Sequence, residues 1–165
     1  MNVKTTVVYY SMSGNTKMTA EKIADTLSAA LTEIRPVKEY PSKGFRKFIW
    51  GGKSAVMGEK PELEPYGFDT DSEQVILGSP VWASNIAPPL RTFISENGEA
   101  LKNKRVAVFL CYSGGGADKA LSKLKAALGT EGFEAQLALI DPKDRPSPDN
   151  DRMISEFCGK LSGDT

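Results

Sequence analysis

Apolar and polar positions along this chain switch repeatedly between a period near two and a period near 3.6. The order of the switches predicts the architecture. Thr5 to Tyr10 is a short apolar run rich in β-branched and aromatic residues, which predicts a strand. From Thr16 to Leu31, the residues Ala20, Ile23, Ala24, Leu27 and Leu31 recur at helical spacing. Lys17, Glu21, Lys22 and Asp25 mostly take the other face, which predicts an amphipathic helix. Glu33 to Val37 reads as a weaker second strand near an edge, because Pro36 removes a ladder donor. Gln74 to Gly78 is the third strand, ending in Ser79-Pro80. A helix is expected after Pro88-Pro89, since proline suits a first turn, with Leu90, Phe93 and Ile94 inward. Arg105 to Cys111 is the fourth strand. Ala117 to Leu128 forms a helix with Ala120, Leu121, Leu124 and Leu128 on one face and Gly129 as its C-cap. Glu134 to Ile140 is the fifth strand, Pro142 to Asn150 a polar loop, and Asp151 caps a last helix reaching Leu161. Pro41 to Asp71 has no clear period. Its Phe45, Phe48, Ile49 and Trp50 among basic residues, followed by an acidic stretch, predict a short helix and then a long connection.

Strands alternating with helices make a parallel sheet covered on both faces, and right-handed crossovers narrow the topology. With 165 residues, no repeat and no internal boundary, the chain is expected to be a single domain over 1–165. Lysine plus arginine equals aspartate plus glutamate at 21 each, so bulk charge gives no nucleic-acid footprint. The apolar run Val106 to Tyr112 is far too short to cross a bilayer, and no membrane partner is expected. Met1-Asn2-Val3-Lys4-Thr5 runs straight into a strand, which predicts no signal peptide. Cys111 and Cys158 make no disulfide framework, and a cytoplasmic setting with reduced thiols is expected. Histidine is absent, which removes the commonest general base and metal ligand, and the cysteines fit no zinc spacing. No metal and no catalytic side chain are expected. Chemistry must come largely from a cofactor.

Ligands of open parallel sheets sit beyond the carboxyl ends of the strands. Three specialised loops leave such ends. The first, Ser11-Met12-Ser13-Gly14-Asn15-Thr16, joins the opening strand to a helix. Such a turn aims several backbone N–H groups at one spot, where the helix dipole is positive, and a phosphate matches it. Simple helix capping is the alternative for Ser13 or Thr16 taken singly. The second loop, Ser79 to Pro88, sets Trp82 just past a strand end, placed to stack on a planar ring; core packing is the alternative. The third, Ser113-Gly114-Gly115-Gly116, accepts the entropic cost of three glycines either for close approach to a flat ligand or as a flexible turn.

The order of elements and the Ser11 to Thr16 turn resemble the flavodoxin family, whose first loop reads Thr/Ser-x-Thr/Ser-Gly-Asn-Thr. Gly78-Ser79-Pro80-Val81-Trp82 resembles that family's second flavin loop, and Cys111-Tyr112-Ser113-Gly114-Gly115-Gly116 its third. The resemblance covers nearly the whole chain. It implies an α/β flavodoxin-like three-layer sandwich, with a five-stranded parallel sheet in order 2-1-3-4-5 and helices on both faces. It also implies FMN as cofactor. Ser11, Ser13, Asn15 and Thr16, with the backbone of Met12 to Thr16 including Gly14, would bind the phosphate. Ser79 heads the second loop, in which Pro80, Val81, Trp82, Ala83, Ser84 and Asn85 would flank the ribityl chain and ring, with Trp82 on one face. Tyr112, Ser113, Gly114, Gly115 and Gly116 would approach the pyrimidine edge. Phosphate held by neutral donors keeps negative charge near the flavin and lowers its potential.

Small electron-carrier flavodoxins usually place an aromatic on each side of the ring and have an acidic surface. This chain is charge-balanced, Tyr112 is its nearest second aromatic, and Pro41 to Asp71 exceeds a minimal member. Gly52-Lys53-Ser54 mimics the end of a nucleotide-triphosphate loop, but Lys47 stands where the first glycine is required. Cys111 lies near the expected flavin edge, where a buried small hydrophobe is favoured over a redox thiol. Lys43, Arg46, Lys47 and Lys53 make a basic cluster, read as a solvated face or as a dock for an acidic partner or NADPH phosphate. The expected function is electron transfer through non-covalent FMN, as a monomer or homodimer, with a redox partner protein or a small-molecule acceptor. The alternatives are an NAD(P)H-dependent quinone or flavin oxidoreductase and a flavin-free binding module.

Overall fold

The computed structural model describes residues 3–40 and 58–163. The element order is β1 (Thr5–Tyr9), α1 (Asn15–Leu27), β2 (Ala30–Glu33), β3 (Gln74–Trp82), β4 (Asn85–Ile86), α2 (Pro88–Leu101), β5 (Arg105–Tyr112), α3 (Ala117–Leu128), β6 (Gln136–Ile140) and α4 (Pro148–Leu161). Five strands pair in parallel in the order β2-β1-β3-β5-β6, and β4 is a short antiparallel addition to β3. Counted over the parallel strands alone, this is the expected 2-1-3-4-5 order.

The apolar strands read as nearly continuous runs because both faces of the sheet are covered. Alternate residues serve opposite layers. Val8, Leu77, Val108 and Leu110 pack with Leu90 and Phe93 of α2 and Leu121 and Leu124 of α3. Val7, Tyr9, Ile76, Ala107 and Phe109 pack with Ala20 and Ile23 of α1 and Ile154 and Phe157 of α4. Helices on both faces of a parallel sheet complete the three-layer sandwich. Gly78 lies opposite Phe109 in the β3–β5 register. A Cβ there would stand 2.1 Å from the Phe109 ring, so the glycine makes room for that side chain.

Four local expectations need correction. Helix α1 stops at Leu27, where Ser28 turns left-handed (φ 51°). Leu31 therefore belongs to the edge strand β2, where it is 42% exposed, rather than to the helix face. The second strand precedes the predicted Glu33–Val37 span, because Pro36 forms only an isolated bridge to Leu63. Strand β3 runs on past Gly78 to Trp82. Helix α4 starts within the predicted polar loop; Ser147 is its N-cap, accepting from the Asp149 N–H at 3.3 Å, and Pro148 fills the first turn. Asp151 is instead a first-turn acid, where the helix dipole favours it.

Of the Pro41 to Asp71 segment, residues 41–57 lie outside the described chain. They include the expected short helix, the basic cluster and Gly52-Lys53-Ser54. Residues 58–71 form a connection without helix that crosses α2. Tyr66 and Phe68 lay their rings on Phe93, with centroids 5.6 and 5.1 Å away. Asn97 leaves helical geometry (φ −118°) and kinks α2 while its Nδ2 donates to Tyr66 Oη at 2.8 Å. Among the described residues no helix is long and apolar enough to cross a membrane.

Candidate functional site

The first loop gets its shape from Gly14. Its left-handed backbone (φ 100°, ψ −10°) ends the strand exit and admits α1. Ser11 Oγ caps the turn from outside the helix, accepting the N–H groups of Gly14 at 3.2 Å and Lys17 at 3.1 Å. Helix geometry leaves the N–H groups of Asn15 and Thr16 without an intrahelical carbonyl. Both of these residues are buried.

The second loop is a hairpin. Ala83 and Ser84 are both left-handed (φ 50° and 62°) and join β3 to β4 through two residues. Such a turn matches the twist of the flanking strands. For residues other than glycine it costs about 1–2 kcal/mol each. Asn85 Nδ2 offsets part of that by donating to Ala83 O at 2.7 Å. Ser79 is fully buried at the base; its Oγ accepts from Ala87 N–H at 2.8 Å and donates to Pro80 O at 2.7 Å.

The third loop reaches α3 through Gly116 (φ 89°). A Cβ on Gly116 would lie 2.6 Å from Ser84 Oγ and 3.0 Å from Ser84 Cα. Loops two and three are thus in backbone contact at this glycine. Gly114 and Gly115 face open space.

A fourth loop, 141–145, overlaps the polar connection predicted from Pro142 to Asn150. It leaves the carboxyl end of β6, and that position was the signal available for it. Asn15 Oδ1 accepts the Lys143 backbone N–H at 2.8 Å, and Asn15 Nδ2 donates to Asp144 Oδ2 at 3.0 Å. Lys143 Nζ donates to the Ser13 carbonyl at 3.0 Å. On the other side, Ser113 Oγ donates to Asp141 Oδ1 at 2.7 Å, and Arg145 donates to Asp141 Oδ2 and to Ser113 O. The fourth loop staples the first loop to the third. It also brings a lysine to a phosphate-type turn whose own sequence holds only neutral donors.

The loops enclose a cleft of about 290 Å³. The first loop contributes Met12, Ser13, Asn15 and Thr16; the second contributes Pro80, Val81, Trp82 and Ala83; the third contributes Tyr112, Ser113, Gly114 and Gly115. Asp141, Asp144 and Cys111 complete it. The other expected site residues lie beside the cleft. Ser11 and Gly14 line a neighbouring hollow with Lys17 and Arg35. Ser79 is buried beneath the hairpin, and Ser84 and Gly116 pack on each other. Asn85 faces a larger hollow of about 1010 Å³ between α2 and α3, which meets the second loop at Asn85 and Ile86.

Trp82 sits at the boundary between core and cleft. It packs against the core beneath and lines the cleft. Tyr10 and Tyr40 hold its ring edge-on, with centroids 5.7 and 5.3 Å away. Burial pushes the Cys111 thiol up to about 11, and its Sγ lies 3.7 Å from Thr19 Oγ1. It is therefore a neutral thiol at ordinary pH, the small hydrophobe expected.

The flavodoxin family model matches residues 7–157. The chain belongs to the flavodoxin family. This flavodoxin-family chain is similar in fold to a flavoprotein of Lactobacillus acidophilus NCFM in complex with FMN, at TM-score 0.66 and 23% identity over 91% of this chain and 97% of that one. A protein of Bacteroides eggerthii DSM 20697 described as a flavoprotein aligns at TM-score 0.72 and 21% identity, covering 96% and 97% of the two chains. The two-electron reduced flavodoxin of Megasphaera elsdenii aligns at TM-score 0.59 and 18% identity, covering 95% and 97%. An uncharacterised protein of Archaeoglobus fulgidus is 25% identical over 107 residues, a match that spans 64% of this chain and 64% of that protein's length.

Proposed function

We propose that this chain binds FMN non-covalently and passes electrons through it. The convergence of three strand-end loops on one cleft supports the reading most. The first of them offers unpaired N–H groups at a helix start, where a phosphate is favoured. The residues fit the group. The turn's own side chains are neutral, Trp82 supplies a flat apolar wall, and Gly114 and Gly115 of the third loop leave open space for a ring edge. FMN, when bound, supplies the redox chemistry. The protein's part is to anchor the phosphate through loop one, exclude water with Trp82, and approach the ring with the third loop. Ser11, Ser79, Ser84, Asn85, Gly14 and Gly116 act by shaping these loops.

Carrier and enzyme differ in the space required above the ring. A quinone or flavin reductase needs room for a nicotinamide, and the absence of a visible nicotinamide-binding motif in the sequence keeps the carrier reading first. Protein purified under native conditions should be yellow, or should turn so on FMN addition with quenching of Trp82 fluorescence. Colourless protein that ignores added FMN overturns the proposal. Steady NADPH oxidation with a quinone by this protein alone would move the assignment from carrier to enzyme.

A further inference from the structure

The loop after β6 places a positive charge where the first-loop motif has none. Lys143 is held against that loop at three points. Its backbone N–H donates to Asn15 Oδ1 at 2.8 Å, and its Nζ donates to Ser13 O at 3.0 Å. Its side chain lies over Gly14, where an added Cβ would stand 3.1 Å from both Cδ and Nζ. Asn15 makes this docking specific, since its amide also binds the Asp144 carboxylate at 3.0 Å. Among the described residues the Lys143 ammonium donates to a neutral carbonyl, which satisfies one of its three donors and leaves its charge for an anion. The neighbouring charges are accounted for differently. Arg145 is paired with Asp141 at 3.0 Å, and Lys17 points toward the hollow on the other flank of the loop.

We propose that Lys143 is the residue by which this site distinguishes phosphorylated flavin from riboflavin. The inference rests on the FMN reading above. A phosphate monoester carries about 1.5–2 negative charges at neutral pH, and a lysine ammonium answers it as a compact point charge. Riboflavin shares the ring and the ribityl chain but ends in a neutral hydroxyl, which gives Lys143 no charge to pair with. Lys143 is exposed, so its attraction for the phosphate is screened by salt. The Asp144 carboxylate beside it opposes the same anion and limits the gain.

The test is a fluorescence titration of apo-protein with FMN and with riboflavin at low and at physiological salt. The proteins are wild type, Lys143→Gln, Lys143→Arg and a charge-matched control, Lys22→Gln, whose lysine pairs with Asp151 away from the site. Lys143→Gln should weaken FMN about tenfold at low salt and flatten its salt dependence, with riboflavin affinity within about twofold. Lys143→Arg should recover most of the loss, and Lys22→Gln should match wild type. Equal FMN affinity in wild type and Lys143→Gln overturns the inference and leaves the FMN reading standing. Equal loss for both flavins also overturns it, because Lys143 then only pins the loop. Wild-type protein that binds neither flavin removes the FMN reading, and this inference with it.

Discussion

Single residues set the site's geometry through backbone freedom and buried polar satisfaction. Gly14 is left-handed at the exact turn where the strand exit becomes α1. Gly14→Val places a β-branched side chain in that conformation and should abolish FMN binding while the far end of the sheet stays folded. Unchanged affinity in a flavin titration would contradict the loop geometry. Gly116→Ala meets Ser84 Oγ at 2.6 Å and strains a positive φ as well. It should cost about 1–2 kcal/mol in urea unfolding and weaken flavin binding together with it. Ser79 plays a different part. Its hydroxyl satisfies the buried Ala87 N–H at the hairpin base. Ser79→Ala should lower stability by about 1–3 kcal/mol, because that donor is left without a partner. A variant as stable as wild type would mean the donor finds water. The motif pointed to Gly14 and Ser79; it gave no role to Lys143 or Asp144, which reach Asn15 across about 130 residues of chain, or to Arg145, which ties Asp141 to the third loop.

At the level of elements, one strand pair carries a size rule. Gly78 in β3 exists for the Phe109 ring in β5, which is fully buried. Gly78→Ala should destabilise by about 1–3 kcal/mol through overpacking. Adding Phe109→Leu should recover part of that loss, and a double mutant that is simply additive would show that the two side chains do not compete. The caps were less legible than the faces. Ala20, Ile23, Leu121 and Leu124 were readable as inward residues because helical spacing forces them onto one side. The ends depend on single-residue choices that several nearby residues could equally supply. Ser28 rather than Leu31 ends α1, and Ser147 rather than Asp151 begins α4. The β4 hairpin was not legible, since Ala83 and Ser84 have no preference for positive φ and are held there by tertiary packing.

Over the whole molecule, burial of titratable groups shapes the response to alkali. Cys111 and Cys158 are both pushed up to about 11, in each case chiefly by desolvation, and burial also raises Tyr9 to about 12. Each is neutral when protonated, so the unfolded chain loses these protons first. Stability should be flat up to about pH 9 and then fall as the pH rises toward 11, since the native state binds more protons there. Denaturation curves measured between pH 7 and 11 check this; the decline should shrink in a Cys111→Ala, Cys158→Ala double mutant, and a level profile would contradict it. Both thiols should also resist alkylation at pH 8 until the protein unfolds. The sequence alone determined the alternation of the parallel strands with their helices, the inward face of the helix interiors and the three specialised strand-end loops. Those features follow from local periodicity and from backbone preferences that act over a few residues. Only the tertiary structure decided that a fourth loop ties the first to the third, that Trp82 is steadied by Tyr10 and Tyr40, and that Lys143 lies on the phosphate-type turn. These depend on segments distant in the chain meeting in one cleft, and no local pattern encodes which exposed lysine comes to rest there.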